Sequence, residues 1–481
     1  MNPAIAIRLL GQLLLFLATA MLVPLGVSLI YNEYDSAFAF GASALLTSLV
    51  GTIMARRGPT DLGNVHRRDA FLVVAFSWIL AGFFGALPYY FSGDIPNFTN
   101  AYFETISGFS TTGSTILTDI EALSHGNLFW RSMTHWLGGM GIVVLFVAIF
   151  PQLGVGGKHL FMTEAPGPIT EGLRPRIKET SATLWRIYLA LTVACGLALY
   201  LAGMDVFDSI NHAMATLATG GFSTKNGSIA QFNNVYIDTV LTLFMLVAGI
   251  NFTLYYLASR GRWRKAISDR ELWTYLAICI IATVVVTINI IDRHGGVFTA
   301  LRYASFQVLG VVTTTGFGTD NFDAYPPLSR LLLVILMFVG GSAGSTAGGL
   351  KIFRFMVMAK ACMRELVRAF RPQLVRAVRI GGTVIAEETI RAIFALFSLF
   401  LAIFVLCSLI LAAMGIDIVT ATTAVAATLG NIGPGLARVG TVENFDFFPM
   451  AAKWLLSACM ILGRLEVVTV VALLLPTFWR R

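Results

Sequence analysis

Long apolar runs separated by short polar connections occupy nearly the whole chain. Ten of them, at roughly 5–31, 37–56, 70–91, 128–150, 184–203, 235–258, 272–291, 329–355, 390–414 and 449–475, approach or exceed the length of about 20 residues that a helix needs to cross a bilayer core. The first, Ala4 to Tyr31, exceeds the apolar region of a signal peptide and reads as a retained span. Spans one and two form a hairpin closed by Asn32-Glu33-Tyr34-Asp35. After them one pattern recurs four times: a span, an apolar stretch too short to cross, a Thr/Gly-rich loop, and a second span. The short stretches, Asn100 to Phe109, Asp205 to Ala218, Val297 to Val312 and Asp417 to Leu429, read as re-entrant half helices. The polar, proline-bearing stretch Gly154 to Thr183 reads as a cytoplasmic loop.

The four loops are Thr111-Thr112-Gly113-Ser114-Thr115, Thr219-Gly220-Gly221-Phe222-Ser223-Thr224, Thr313-Thr314-Thr315-Gly316-Phe317-Gly318-Thr319 and Asn431-Ile432-Gly433-Pro434-Gly435. Their glycines, at 113, 221, 316 and 433, are spaced by about 100 residues, the mark of an internal repeat. Non-helical backbone at membrane depth is tolerated where protein buries it or where it lines a water-filled cavity. A threonine-glycine run there offers main-chain carbonyls to a dehydrated cation, as the filter loops of potassium channels do. Each half helix entering from outside would also aim its negative dipole end at the pore.

The expected fold is an all-α membrane protein. Four pseudo-symmetric span–pore helix–filter loop–span repeats surround one central pore, with an N-terminal two-helix hairpin, giving ten transmembrane helices and four re-entrant half helices. The expected boundaries are 1–60 for the hairpin, then 61–155, 156–262, 263–380 and 381–481 for the repeats.

Composition agrees with a lipid solvent: 56% of residues are hydrophobic, 12% are charged, and mean hydropathy is +0.76, against roughly 25% charge in soluble domains. The net charge of +8 divides unevenly between the two sides of the spans. With Arg56-Arg57 and Arg260 to Lys265 inside, the inner segments hold 26 Lys+Arg and 10 Asp+Glu, and the outer segments 7 and 15. The positive-inside bias then places both termini in the cytoplasm. The acidic outer face either concentrates cations at a pore mouth or simply solvates the outer loops. No folded basic domain accompanies the basic inner face, so nucleic acid is not an expected partner. Cys195, Cys279, Cys362, Cys407 and Cys459 are too dispersed for a disulfide framework or zinc site, and the six histidines show no ligand spacing. A paired nucleophile and base, a carboxylate pair or a metal cluster is also missing from the pattern, which argues against an enzyme. An ion-coupled symporter is the nearer rival; its second ion site usually sits at broken helices with intramembrane acids, and these are scarce here.

Two further stretches stand out. Gly340-Gly341-Ser342-Ala343-Gly344-Ser345-Thr346-Ala347-Gly348-Gly349 lies in the third repeat's second span, where each glycine costs a helix about 1 kcal/mol. It reads as a flexible gate or as a close-packing face of small residues. A phosphate-binding loop is excluded, because Leu350 stands where lysine is required. Arg464, inside the last apolar span, faces either the conduction path or an ion-pair partner on another helix. Glu104, on the first half helix, could add field at the pore or bind backbone amides near the helix start. Lys351 to Arg391, rich in Lys and Arg, could dock a cytoplasmic protein or lie near anionic membrane lipid.

The fourfold plan with a glycine in every filter loop resembles the Trk/Ktr/HKT superfamily of potassium transporters. The leading hairpin, Gly138-Gly139-Met140-Gly141, Gly340 to Gly349 and Gly463-Arg464-Leu465-Glu466 resemble most its bacterial TrkH branch. The resemblance covers essentially the whole chain. It implies potassium uptake across the bacterial inner membrane, with no cofactor and with K+ bound only at the filter. The filter residues it implies are Thr111, Thr112, Gly113, Thr219, Gly220, Gly221, Thr314, Thr315, Gly316, Asn431, Ile432 and Gly433. It implies a gate built from Gly340, Gly341, Ser342, Gly344, Ser345, Gly348, Gly349 and a pore-facing Arg464. It also implies a homodimer with one pore per subunit, gated by a cytoplasmic nucleotide-binding TrkA-type ring. The fourth segment departs from the pattern, with Asn431-Ile432 in place of threonines and Pro434 after the glycine.

Overall fold

Apolar runs with few charges satisfy their own backbone groups as helices, which a hydrocarbon solvent demands. The computed structural model describes residues 3–58, 67–141, 177–373 and 377–479, and these are mostly helical. Among them six helices are long and apolar enough to cross a membrane: Ala4–Ile30, Tyr34–Arg57, Arg68–Ser92, Ser181–Leu201, Arg270–His294 and Glu387–Ala413.

Three of the expected second spans behave differently. Val235–Ala248 and Phe252–Ser259 meet at an 88° bend. Pro327–Leu336 and Ile352–Phe370 are separated by the glycine-rich stretch, and Met450–Arg464 ends at Leu465 before Glu466–Leu474. The sequence pattern makes 235–258 and 449–475 continuous, and the structure corrects this. Hydropathy does not register a break that keeps its residues apolar. At the first break Asn251 restarts the helix as an N-cap, accepting the Thr253 N–H at 2.9 Å. The expected span at 128–150 is helical over His125–Gly139, and its positions 142–150 lie outside the described residues. So does most of the 154–183 loop; its last residues already belong to the helix Ile177–Leu201.

A second departure is a two-stranded antiparallel ribbon, Arg379–Ile380 with Thr383–Val384. Its turn, Gly381-Gly382, has φ of +55° and +86°, the left-handed pair that matches the twist of a two-residue hairpin. The ribbon packs Val378 and Ile380 against Val357 and Ala361 of Ile352–Phe370.

Two apolar cores divide the rest. One holds residues from Ile5 to Leu137 together with Leu350 and residues from Leu396 to Val467; the other holds residues from Tyr188 to Ile352 with Ala426, Ile432 and Leu436. The hairpin docks through Glu33, whose carboxylate accepts the backbone N–H groups of His125 (2.8 Å) and Gly126 (3.2 Å). A carboxylate at that helix start meets the positive end of the dipole.

Candidate functional site

Four short helices lead to the four glycine segments: Phe98–Phe109, Val206–Leu217, Val297–Val312 and Ile418–Leu429. At about 1.5 Å per residue the three of 12 residues reach little more than halfway through a bilayer core, and the 16-residue Val297–Val312 also falls short of crossing it. Asn97, Asp205 and Asp417 cap three of them with side-chain oxygens.

Their C-terminal ends share one geometry. Thr111, Thr219, Thr314 and Asn431 all lie in the left-handed region, with φ of +55°, +57°, +57° and +54°. In three cases the following N–H reaches back to the helix: Thr112 to Ser107 (2.9 Å), Gly220 to Ala215 (2.9 Å) and Ile432 to Ala427 (2.8 Å). This is the Schellman closure of a helix end. In the third segment Gly316 N–H makes the return bond to Gly310 instead, at 2.9 Å. Left-handed geometry is strained for a β-branched residue and comparatively easy for asparagine, which gives Asn431 a physical reason in the segment whose sequence departs.

Two residues on, Gly113, Gly221, Gly316 and Gly433 are left-handed again, with φ of +83°, +80°, +74° and +101°. A β-carbon there would also collide with the next segment. The nearest atom is the carbonyl oxygen of Gly220 for Gly113, of Thr315 for Gly221, of Ile432 for Gly316 and of Thr112 for Gly433. The segments thus follow one another in a closed ring, first to second, second to third, third to fourth, fourth to first. Asn431 also crosses the last junction, donating to the Thr112 hydroxyl at 2.9 Å. Gly220 replaces the threonine of the neighbouring segments because a β-carbon there would enter the His135 ring.

The limbs that leave the glycines are cross-linked in the same order. Ile120 N–H donates to the Asn226 side-chain oxygen (2.6 Å), Ala230 N–H to the Gly318 carbonyl (3.1 Å), the Thr441 hydroxyl to the Asp320 carbonyl (3.2 Å), and Phe445 N–H to the Thr115 carbonyl (2.8 Å). A cavity of about 160 Å³ is lined by all four glycines and by residues of these limbs.

The glycine-rich stretch adjoins the ring. Gly348 N–H donates to the Thr314 hydroxyl at 2.6 Å, and a β-carbon on Gly348 would press on the Gly430 carbonyl and Asn431. The stretch also meets the breaks in the other spans. Ser342 N–H donates to the Gly249 carbonyl and Phe252 N–H to the Gly344 carbonyl, each at 3.0 Å. Arg464 donates to the carbonyls of Thr346 (2.9 Å), Gly138 (2.7 Å) and Gly139 (2.9 Å).

Three contacts escape a reading of the sequence alone. Glu104 is fully buried and paired with Arg131 at 2.9 Å, with the guanidinium 4.1 Å from the centre of the Phe222 ring. Glu271 accepts the N–H groups of Ala343 (2.6 Å) and Phe353 (3.2 Å), tying the glycine-rich stretch to the start of the helix that follows it. Lys351, itself left-handed, folds its ammonium back onto the Ala347 carbonyl. An acid at the head of an apolar helix and a lysine directly after a glycine run were the available signals. Among the described residues no three His, Cys, Asp or Glu side chains converge as a metal site.

Comparison with known proteins places this geometry. Residues 40–478 match the family model TrkH, described as a cation transport protein. The chain is 40% identical to the Trk system potassium uptake protein TrkH of Escherichia coli (strain K12), covering 98% of each chain. It is 39% identical to the protein of that name from Halomonas elongata, over the full length of both. The crystal structure of the potassium transporter TrkH from Vibrio parahaemolyticus superposes with a TM-score of 0.89 at 36% identity, covering both chains completely. The multi-pass helical chain with its closed ring of glycine segments belongs to the TrkH family of cation transport proteins.

Proposed function

We propose that the protein takes up potassium by channel-like conduction through the ring of glycine segments. One observation carries this reading: Gly113, Gly221, Gly316 and Gly433 each abut the next segment's carbonyl in closed cyclic order. Left-handed residues two apart keep the main chain from alternating its carbonyls to opposite faces as a strand does. Carbonyls preceding each glycine, at Thr111-Thr112, Thr219-Gly220, Thr314-Thr315 and Asn431-Ile432, then replace the water around a potassium ion. The names of the relatives, potassium uptake proteins, agree with the choice of ion.

Counting each broken pair as one span, and assigning the helix His125–Gly139 to another, gives ten spans and four half helices in pseudo-fourfold order about the pore. The segment Gly340–Gly349 with Arg464 acts as the gate. Family resemblance adds a homodimer, a cytoplasmic nucleotide-binding TrkA-type ring, and a bacterial inner membrane with both chain termini cytoplasmic.

The test is flux of potassium and rubidium into proteoliposomes containing this chain alone, with the pH gradient collapsed. Uptake that persists supports conduction. Uptake that disappears with the gradient assigns the protein to coupled symport instead.

A further inference from the structure

The first three half helices each carry a polar residue nine positions ahead of the filter glycine: Glu104 before Gly113, His212 before Gly221 and Gln307 before Gly316. All three are buried. Each binds the limb that leaves its own glycine. Glu104 accepts the Thr115 hydroxyl at 2.9 Å and the Ile116 N–H at 3.0 Å. His212 lies 2.8 Å from the Asp208 carbonyl through Nδ1, so Nδ1 carries the proton, and Nε2 accepts the Ser223 hydroxyl at 2.9 Å. Gln307 donates to the Asp320 carbonyl at 2.9 Å. The fourth half helix has Ala424 at this position, and the adjacent Thr423 hydroxyl accepts the Leu436 N–H at 3.0 Å. Arg131 joins the first brace to the second segment, bonding Glu104 and the Ser223 carbonyl, each at 2.9 Å.

The ring needs such support. Left-handed threonines persist only where their surroundings over-determine them. Carbonyl oxygens facing one axis repel each other, and a loosened ring can close around a smaller ion. We infer that Glu104, His212 and Gln307, with Arg131, are positioning residues that hold the ring at a fixed diameter and thereby set selectivity among monovalent cations. This rests on the filter reading above.

The experiment compares rubidium and sodium uptake by the full chain in proteoliposomes for wild type, Glu104→Gln, His212→Leu, His212→Gln and Gln307→Met, with monodispersity and melting temperature recorded. The expected result is a rubidium-to-sodium ratio about tenfold lower for His212→Leu and Gln307→Met, and near wild type for His212→Gln, whose amide can still meet Ser223. If Glu104→Gln does not fold, the His212 and Gln307 variants, which strand no buried charge, still decide the matter. An unchanged ratio in both overturns the inference, as does loss of folded protein in both, which would assign these residues to folding alone. Wild type that takes up neither ion removes the filter reading itself, a separate outcome that takes this inference with it.

Discussion

The backbone N–H of Gly348 donates to the hydroxyl of Thr314 at 2.6 Å, so the glycine-rich stretch hangs directly from the third glycine segment. Both residues are also held from elsewhere. Thr314 is the left-handed closure of its half helix, and Gly348 packs on the end of the fourth. A movement of one is therefore felt by the other.

Thr314→Val keeps the volume and branching but leaves a buried N–H without an acceptor, at a cost of about 1–3 kcal/mol. Faster amide exchange across 342–350 and a raised resting leak are expected. Thr314→Ser, which keeps the hydroxyl, should resemble wild type. Equal exchange in both variants would show that the bond does not hold the stretch in place.

Gly316→Ser puts a β-carbon against the Ile432 carbonyl on a backbone with φ of +74°. The backbone strain alone is of order 1–3 kcal/mol. Rubidium uptake should fall by about tenfold or lose its preference over sodium, while membrane insertion is preserved. Wild-type uptake of both ions would count heavily against a filter at this glycine.

Arg464→Gln removes a charged donor from the carbonyls of Gly138, Gly139 and Thr346. A hydrogen bond to a charged group contributes about 1.5–3 kcal/mol, so the melting temperature in detergent should drop and leak should rise. Arg464→Lys, with a single ammonium and no planar fork, should recover only part of the loss. Unaltered melting and leak in Arg464→Gln would mean that the three bonds tie nothing together.

Asp417 caps the fourth half helix, and the Thr420 N–H holds its carboxyl below the ordinary value for an aspartate. A folded-state value below the unfolded one contributes stability above the unfolded value and loses it as pH falls through the folded one. The loss therefore belongs to the acid range below about pH 4. Thermal melts of Asp417→Asn should show a flatter acid limb than wild type. Parallel acid limbs would remove Asp417 from the pH response.

The short helices were legible as apolar stretches too brief to cross, while the capping roles of Asp205 and Asp417 came from the structure. The bend at Gly249–Asn251 was not, because Ile250 and its flanks keep hydropathy high through a break made by one cap. The Gly381-Gly382 ribbon carried a hairpin signal that a helical pattern on both sides overshadowed. For Arg464 the sequence offered a choice between the pore and an ion pair. The three carbonyls it bonds belong to the 138–139 helix end and the glycine-rich stretch, both far away in the chain.

By itself the sequence determined a membrane-embedded helical chain, four repeats of one local pattern, and glycine at the same place in each. These are properties of neighbouring residues: apolar length, the recurring threonine-glycine run, and the absence of a β-carbon. The tertiary structure decided the cyclic order of the segments, the burial of Glu104 against Arg131, and the meeting of Gly348 with Thr314. Those depend on contacts between positions distant in sequence, and folding sets them by packing and by the need to satisfy every buried polar group.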